Sequence, residues 1–172
     1  MHRLRQGILI ERKPADVFGL ISDPARYPDF FTGITRWEPR SSKRRGLGAR
    51  FRVLMRVGSI EAGGTVRITD WKPNERIAWE SESGVDQRGS WTIEPAAGGS
   101  DLKLELEFRL AGLFGWLAER LAGRVVQRHM SATLLAARRL LEFESRPAAR
   151  SGSSRSGSRG ASRSRSGSGK RS

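Results

Sequence analysis

The chain contains no cysteine, which excludes a disulfide framework and any thiolate metal site. Histidine is nearly as scarce. There are two, one of them the terminal His2, so a zinc or di-iron centre is close to excluded. No apolar run is long enough to span a bilayer, and the opening MHRLRQGILIER has too short an apolar stretch for a signal peptide. A soluble, cytoplasmic protein is therefore the default expectation. No phosphate-cradling glycine loop, nucleophile–base pair or metal constellation is readable, and no cofactor is expected.

The scarcities are not evenly spread. The hydrophobic share of 37% is low for a fully globular chain, and most of the shortfall lies after Glu144. From Ser145 to Ser172 the chain has no acid and no aromatic residue, only Ser, Gly, Arg, Ala, Pro and Lys. Eight basic residues fall in this segment, so residues 1–144 carry only +6 of the +14 net charge. A segment of that composition cannot bury enough apolar surface to offset chain entropy, and 145–172 is expected to be a disordered basic tail. Residues 1–144 have the size of one domain. The tail's arginines could follow nucleic-acid phosphates through counterion release or meet an anionic membrane surface. Equally, they could do no more than solubilise the chain. No stacking aromatics accompany them, and serines beside arginines are candidate phosphorylation sites.

Within 1–144 the hydrophobic period changes twice. Arg3 to Ile10 suits a first strand. Pro14 sits well in the first turn of a helix with Asp16 near its positive end, and Ser22-Asp23-Pro24 ends it. A second short helix opens at Pro24, with Pro28 expected to limit it in the same way. Then Phe51, Val53, Met55 and Val57 alternate with Arg50, Arg52 and Arg56, and Gly58-Ser59 reads as a type II′ hairpin turn. Ile60, Ala62, Val66 and Ile68 continue the alternation, with Gly63-Gly64 suggesting a bulge or sharp bend. Asp70 shares the inward parity of Ile68 and abuts a turn that it is expected to cap. Ile77 and Trp79, then Trp91 and Ile93, alternate in the same way, and Leu102, Leu104, Leu106, Phe108 and Leu110 make the cleanest strand. Such alternation means antiparallel strands with one dry face.

From about Leu113 to Glu144 the period is helical. Arginines 120, 124, 128 and 138 cluster on one arc; Ala118, Ala122, Val125, Val126, Met130, Ala136, Ala137, Leu140 and Leu141 lie opposite. A helix so divided must lie on something apolar, and the dry face of the sheet is the only candidate. The order is strand, two short helices, six strands, long helix: an α+β domain in which the broken helix pair plugs the edge of a curved sheet.

Three stretches, Pro14-Ala15-Asp16-Val17-Phe18, Ile21-Ser22-Asp23-Pro24 and Arg26-Tyr27-Pro28, resemble the opening of the START-like superfamily, also called SRPBCC or Bet v 1-like. Asp70-Trp71-Lys72-Pro73-Asn74-Glu75-Arg76-Ile77-Ala78-Trp79 is similar to the mid-domain turn and strand of its polyketide cyclase/dehydrase and lipid-transport branch. The resemblance spans Leu4 to Glu144. It implies a helix-grip fold, a curved antiparallel seven-stranded sheet wrapped on the C-terminal helix, with an elongated cavity that usually holds an apolar small molecule. It says nothing about the tail.

On that basis Phe51, Val53, Met55, Val66, Ile68, Trp79, Trp91, Val126 and Met130 are candidate ligand-lining residues, each equally readable as plain core. Ser81, Ser83, Gln87 and Gly89 share the inward parity of Trp79 and Trp91. Ser81 and Gln87 would offer polar contacts to a ligand, or simply solvate strand ends. Glu119, His129 and Thr133 interrupt the helix's apolar arc. His129 is the one weak candidate for catalysis, orienting a ligand carbonyl or acting as a general base. The alternative is a core histidine hydrogen-bonded to Thr133 or a backbone carbonyl. Three functions are carried forward: binding or transport of a lipid, isoprenoid quinone or polyketide-like molecule; a polyketide cyclase/aromatase or dehydratase; and tail-mediated binding of nucleic acid or anionic membrane.

Overall fold

The computed structural model describes residues 1–109 and 115–144, apart from the side chains of 115–121 and 144. The tail and Leu110 lie outside these residues, as do the side chains of Ala118, Glu119 and Arg120. Strand β1 (His2–Ile10) is followed by helix α1 (Pro14–Ile21), a 3-10 turn (Pro24–Arg26) and helix α2 (Tyr27–Phe30). Strands β2 (Ile34–Pro39), β3 (Arg50–Val57), β4 (Ile60–Lys72), β5 (Arg76–Gly84), β6 (Asp86–Ala96) and β7 (Gly99–Arg109) precede helix α3 (Gly115–Glu144). One antiparallel sheet results, in the order β1-β7-β6-β5-β4-β3-β2. This is the helix-grip arrangement. Among the described residues no helix is long and apolar enough to cross a membrane.

The alternation sets the faces. Pairs such as Phe51↔Val66, Met55↔Ala62, Trp91↔Leu104 and Ile93↔Leu102 put apolar side chains on the concave side. The convex side carries cross-strand ion pairs, among them Arg5–Glu105 at 2.9 Å, Arg67–Glu80 at 2.8 Å and Arg50–Glu82 at 2.8 Å. Pairs this exposed contribute about 0–1 kcal/mol each; their main effect is to keep the convex side wet. Gly58 turns the β3–β4 hairpin at φ +64, as the type II′ reading requires.

Four expectations are corrected. Pro28 does not end a helix; it occupies the first turn of α2, where its missing N–H costs nothing. Gly63 and Gly64 lie in unbroken register with β3, and the irregularity is instead in the β4–β5 pairing, between Thr65 and Val66. The glycines are needed for close approach: a Cβ on Gly64 would lie 1.8 Å from the Ser83 carbonyl oxygen. A second shift, between Ile68 and Asp70, reverses the parity, so Asp70 pairs with Ala78 on the convex side. There its carboxylate meets Arg76 Nε at 3.3 Å across the Lys72–Glu75 turn. The first shift acts likewise on Ser83, which stands opposite Thr65 and not on the inward side expected for it.

Helix α3 buries Ala122, Val126, Met130, Leu134, Ala137 and Leu141 against the concave face, while Val125, Ala136 and Leu140 are only half-buried. Polar clasps hold it to β1 and to the segment just after it. Gln6 accepts from Ser131 Oγ at 2.6 Å and donates to the Gln127 carbonyl at 3.2 Å. Arg12 donates to the carbonyls of Leu141 (3.1 Å) and Glu142 (3.2 Å). A guanidinium there satisfies orphan carbonyls and favours the negative end of the helix dipole. Helix α1 wedges Val17, Leu20 and Ile21 into the core between α3 and strands β6 and β7.

Candidate functional site

The concave space is not filled along its whole length. Toward the β3–β4 tip, sheet and helix enclose a hollow of about 130 Å³. Val53, Met55 and Val57 of β3 form one wall, with Ile60, Ala62, Val66 and Ile68 of β4 beside them. Trp79, Val85, Gln87, Leu106 and Phe108 continue the floor, Ala122 and Val126 of α3 form the roof, and Tyr27, Phe31, Ile34 and Trp37 close the side. Ile60, 63% exposed, marks the opening to solvent.

Small residues make the space. Gly89 stands opposite Trp79, and a Cβ there would lie 2.3 Å from Trp79 Cζ2, so glycine lets the indole lie flat over β6. Ala62 and Ala122 hold back the wall and the roof. The closed side is an aromatic column. Phe31 stacks on Tyr27 at 5.7 Å and 15°, Tyr27 on Trp37 at 4.1 Å and 13°, and Trp37 on Phe51 at 5.1 Å and 24°. Each such pair adds about 0.5–1.5 kcal/mol beyond area burial, which makes this a rigid wall.

Polar atoms are few. The Tyr27 hydroxyl donates to the Ile21 carbonyl at 2.9 Å. Burial raises the phenol's pKa, and the nearby Trp91 indole offsets this only in part; that indole N–H is buried and short of hydrogen-bond geometry to any acceptor. Tyr27 is thus a neutral, committed donor. Trp37 Nε1 is buried without a partner. Gln87 uses its backbone N–H on Ser81 Oγ at 3.0 Å, and its side-chain amide has no partner among the described residues. Among the described residues the lining of the hollow therefore has one uncommitted polar side chain, that of Gln87, while the Trp37 N–H is sealed behind its ring, and no ionisable group except Tyr27.

Of the thirteen residues predicted from sequence, Val53, Met55, Val66, Ile68, Trp79, Gln87 and Val126 come together around the hollow. Phe51, Trp91 and Met130 are in the filled core, each no more than 2% exposed. Ser81 braces the β5–β6 turn through Gln87. Thr133 accepts from the Thr32 backbone N–H at 2.9 Å. His129 faces the segment between α2 and β2: a Cβ on Gly33, whose φ is +87, would lie 2.2 Å from His129 Nδ1. That nitrogen is buried and has no hydrogen-bond partner, so neither Thr133 nor a backbone carbonyl holds it. Burial lowers the imidazole's pKa, and neighbouring Arg128 lowers it further. Sequence reasoning missed Tyr27, Phe31, Ile34 and Trp37. The density of aromatics between Tyr27 and Trp37 was the signal available.

Among the described residues no group of three or more His, Asp or Glu side chains could hold a metal ion. No curated protein matches the sequence. Several solved structures share the fold. TTHA0849 from Thermus thermophilus superposes with a TM-score of 0.74 at 19% identity, over 84% of this chain and 99% of that one. The Zhui aromatase/cyclase from Streptomyces sp. R1128 gives 0.67 at 21%, over 83% and 94%. Ara h 8.0201 gives 0.60 at 15%, over 83% and 98%. At these identities the likeness speaks for architecture. The sequence itself goes further: the profile of one family matches residues 1–142, and the chain belongs to the polyketide cyclase / dehydrase and lipid transport family.

Proposed function

We propose that this protein binds and carries a hydrophobic small molecule, of the lipid, isoprenoid quinone or polyketide-like class, in the hollow between sheet and α3. The observation that carries this is an apolar void that the described residues leave unfilled. At ~24 cal/mol per Å³, a space of about 130 Å³ forgoes roughly 3 kcal/mol of packing. That is a large share of the ~5–15 kcal/mol by which domains are stable. A guest would recover it.

Size and chemistry narrow the guest. An engineered apolar cavity of ~150 Å³ accepts benzene, so the enclosed part suits one ring or a short branched chain. A longer molecule would extend past Ile60 into solvent. The Gln87 amide is suited to one oxygen acceptor on it. Cyclase chemistry is the second reading, favoured by membership of the polyketide cyclase / dehydrase and lipid transport family. Against it, Tyr27 is committed to Ile21, and His129 lies outside the lining, so the hollow lacks an acid–base pair among the described residues.

Native mass spectrometry of the purified full chain, with solvent extraction of what is bound, tests this. A co-purifying apolar compound is expected, together with binding of the neutral dye N-phenyl-1-naphthylamine. Ala122→Leu should abolish the dye binding by filling the roof, and His129→Ala should leave it intact. Dye binding that survives Ala122→Leu would overturn the reading.

A further inference from the structure

The net charge of the domain is concentrated on one hairpin. Between Arg36 and Arg56 lie eight basic residues, Arg36, Arg40, Lys43, Arg44, Arg45, Arg50, Arg52 and Arg56, against the single acid Glu38. This stretch is +7, whereas residues 1–144 as a whole are +6, so the rest of the domain is slightly acidic. The hairpin is β2, β3 and their connecting loop. Its concave face supplies Ile34, Trp37, Val53, Met55 and Val57 to the hollow, and strand alternation puts Arg50, Arg52, Leu54 and Arg56 on the other side.

Much of that charge is uncompensated. Arg50 is paired with Glu82, Arg36 only distantly with Glu38 at 3.8 Å, and Arg56 with Glu61 at 4.0 Å. Arg40, Lys43, Arg44 and Arg52 make no ion pair with any described residue. Aliphatic side chains are set among them. Leu47, in the loop, is 56% exposed, and Leu54 is half-buried between Arg52 and Arg56. Both aromatic rings of the hairpin, Trp37 and Phe51, are turned inward and stacked on each other.

We infer that the β2–β3 hairpin is a docking surface for an anionic lipid bilayer. A bilayer surface accepts both halves of the pattern, phosphate and carboxylate headgroups for the guanidinium groups and the acyl boundary for the leucines. Single-stranded nucleic acid would match the charge, but its bases need outward aromatic platforms, and here the rings face the core. The docking requires no guest in the hollow, so it stands independently of the ligand reading. It places one wall of the hollow against the membrane.

The test uses the full chain and flotation with phosphatidylcholine–phosphatidylserine vesicles, with pure phosphatidylcholine as the reference. A variant carrying Arg40→Gln, Lys43→Gln and Arg44→Gln is compared with one carrying Arg124→Gln, Arg128→Gln and Arg139→Gln, an equal change on the exposed side of α3. At roughly fivefold per basic residue near the surface, the hairpin triple should weaken vesicle binding on the order of 100-fold. The helix triple should change it by no more than a few-fold. Leu47→Ser should weaken vesicle binding while leaving binding to a short single-stranded oligonucleotide unchanged. The eight basic residues of the tail are present in every variant, so the difference between triples reports the hairpin alone. Equal losses in both triples, or no loss in either, would overturn the proposal by assigning the attraction to net charge or to the tail. A hairpin triple that hurts oligonucleotide binding more than vesicle binding would overturn it in favour of nucleic acid.

Discussion

Where β1 ends and α3 ends, the space beneath the helix is filled by Ile10, Ile77, Trp91, Ile93, Leu102 and Leu104, none more than 3% exposed. Helix α1 drives Val17 and Ile21 into the same volume, Ala137 and Leu141 close it from above, and Arg12 pins the helix end. At the other end of the same strands, beneath Ala122 and Val126, no second helix of the described residues enters. There the positions on wall and roof that would have to be large are Ala62 and Ala122. Both regions share one sheet and one helix, and both are apolar. Side-chain volume and the wedge of α1 separate a core from a container.

Truncation should separate the regions most clearly. Trp91→Ala, in the filled end, is expected to cost about 3–5 kcal/mol of unfolding free energy in urea. Leu106→Ala, on the lining of the hollow, should fall near the low end of the ~2–5 kcal/mol range for leucine, since Leu106 already lacks neighbours on one side. Equal losses per methylene would mean that the hollow is packed in solution.

Enlargement reverses the order and is a sharper discriminator, because both sites are alanines on one helix. Ala137→Leu has no room and should destabilise by about 1–3 kcal/mol. Ala122→Leu fills existing space and should be neutral or mildly stabilising, by up to roughly 1 kcal/mol. Thermal melts of the two variants suffice. A large loss in Ala122→Leu would erase the distinction between the regions.

The filled end was more legible in the sequence than the hollow end, for a physical reason. Regular alternation in β7 and a regular helical period in α3 each assign a face, and those assignments hold at Leu102, Leu104, Ala137 and Leu141. Alternation fails where register slips. In β2, Thr35 is an extra residue between Ile34 and Arg36, so Ile34 and Trp37, three apart, both point inward. No strand period predicts that, and β2 has no alternation to find. The same mechanism turned Asp70 outward. Helical projection put His129 on the apolar side but could not say what it meets. Its neighbour is the α2–β2 segment, a non-local contact that only the folded chain defines.

His129 lies at the seam between the two regions, where the segment carrying Phe31 into the hollow crosses α3, and it gives the smallest predicted effect. Its imidazole is held below the ordinary value of 6.5, first by burial and then by Arg128. The sign follows from proton counting. As pH falls through 6.5 the unfolded chain takes up a proton that the folded chain refuses, so the folded state loses stability between that pH and the lowered folded value, and gains nothing above it. His129→Gln removes this titration, so a plot of stability against pH should be flatter for the variant over that acidic window and parallel to the unsubstituted protein at neutral pH. Phe31 ties the same event to the hollow. If the seam loosens as His129 becomes charged, dye binding should weaken over the same interval in the unsubstituted protein and not in the variant. Identical pH profiles for the two proteins would show that the imidazole is free to ionise, and that the seam is not closed around it.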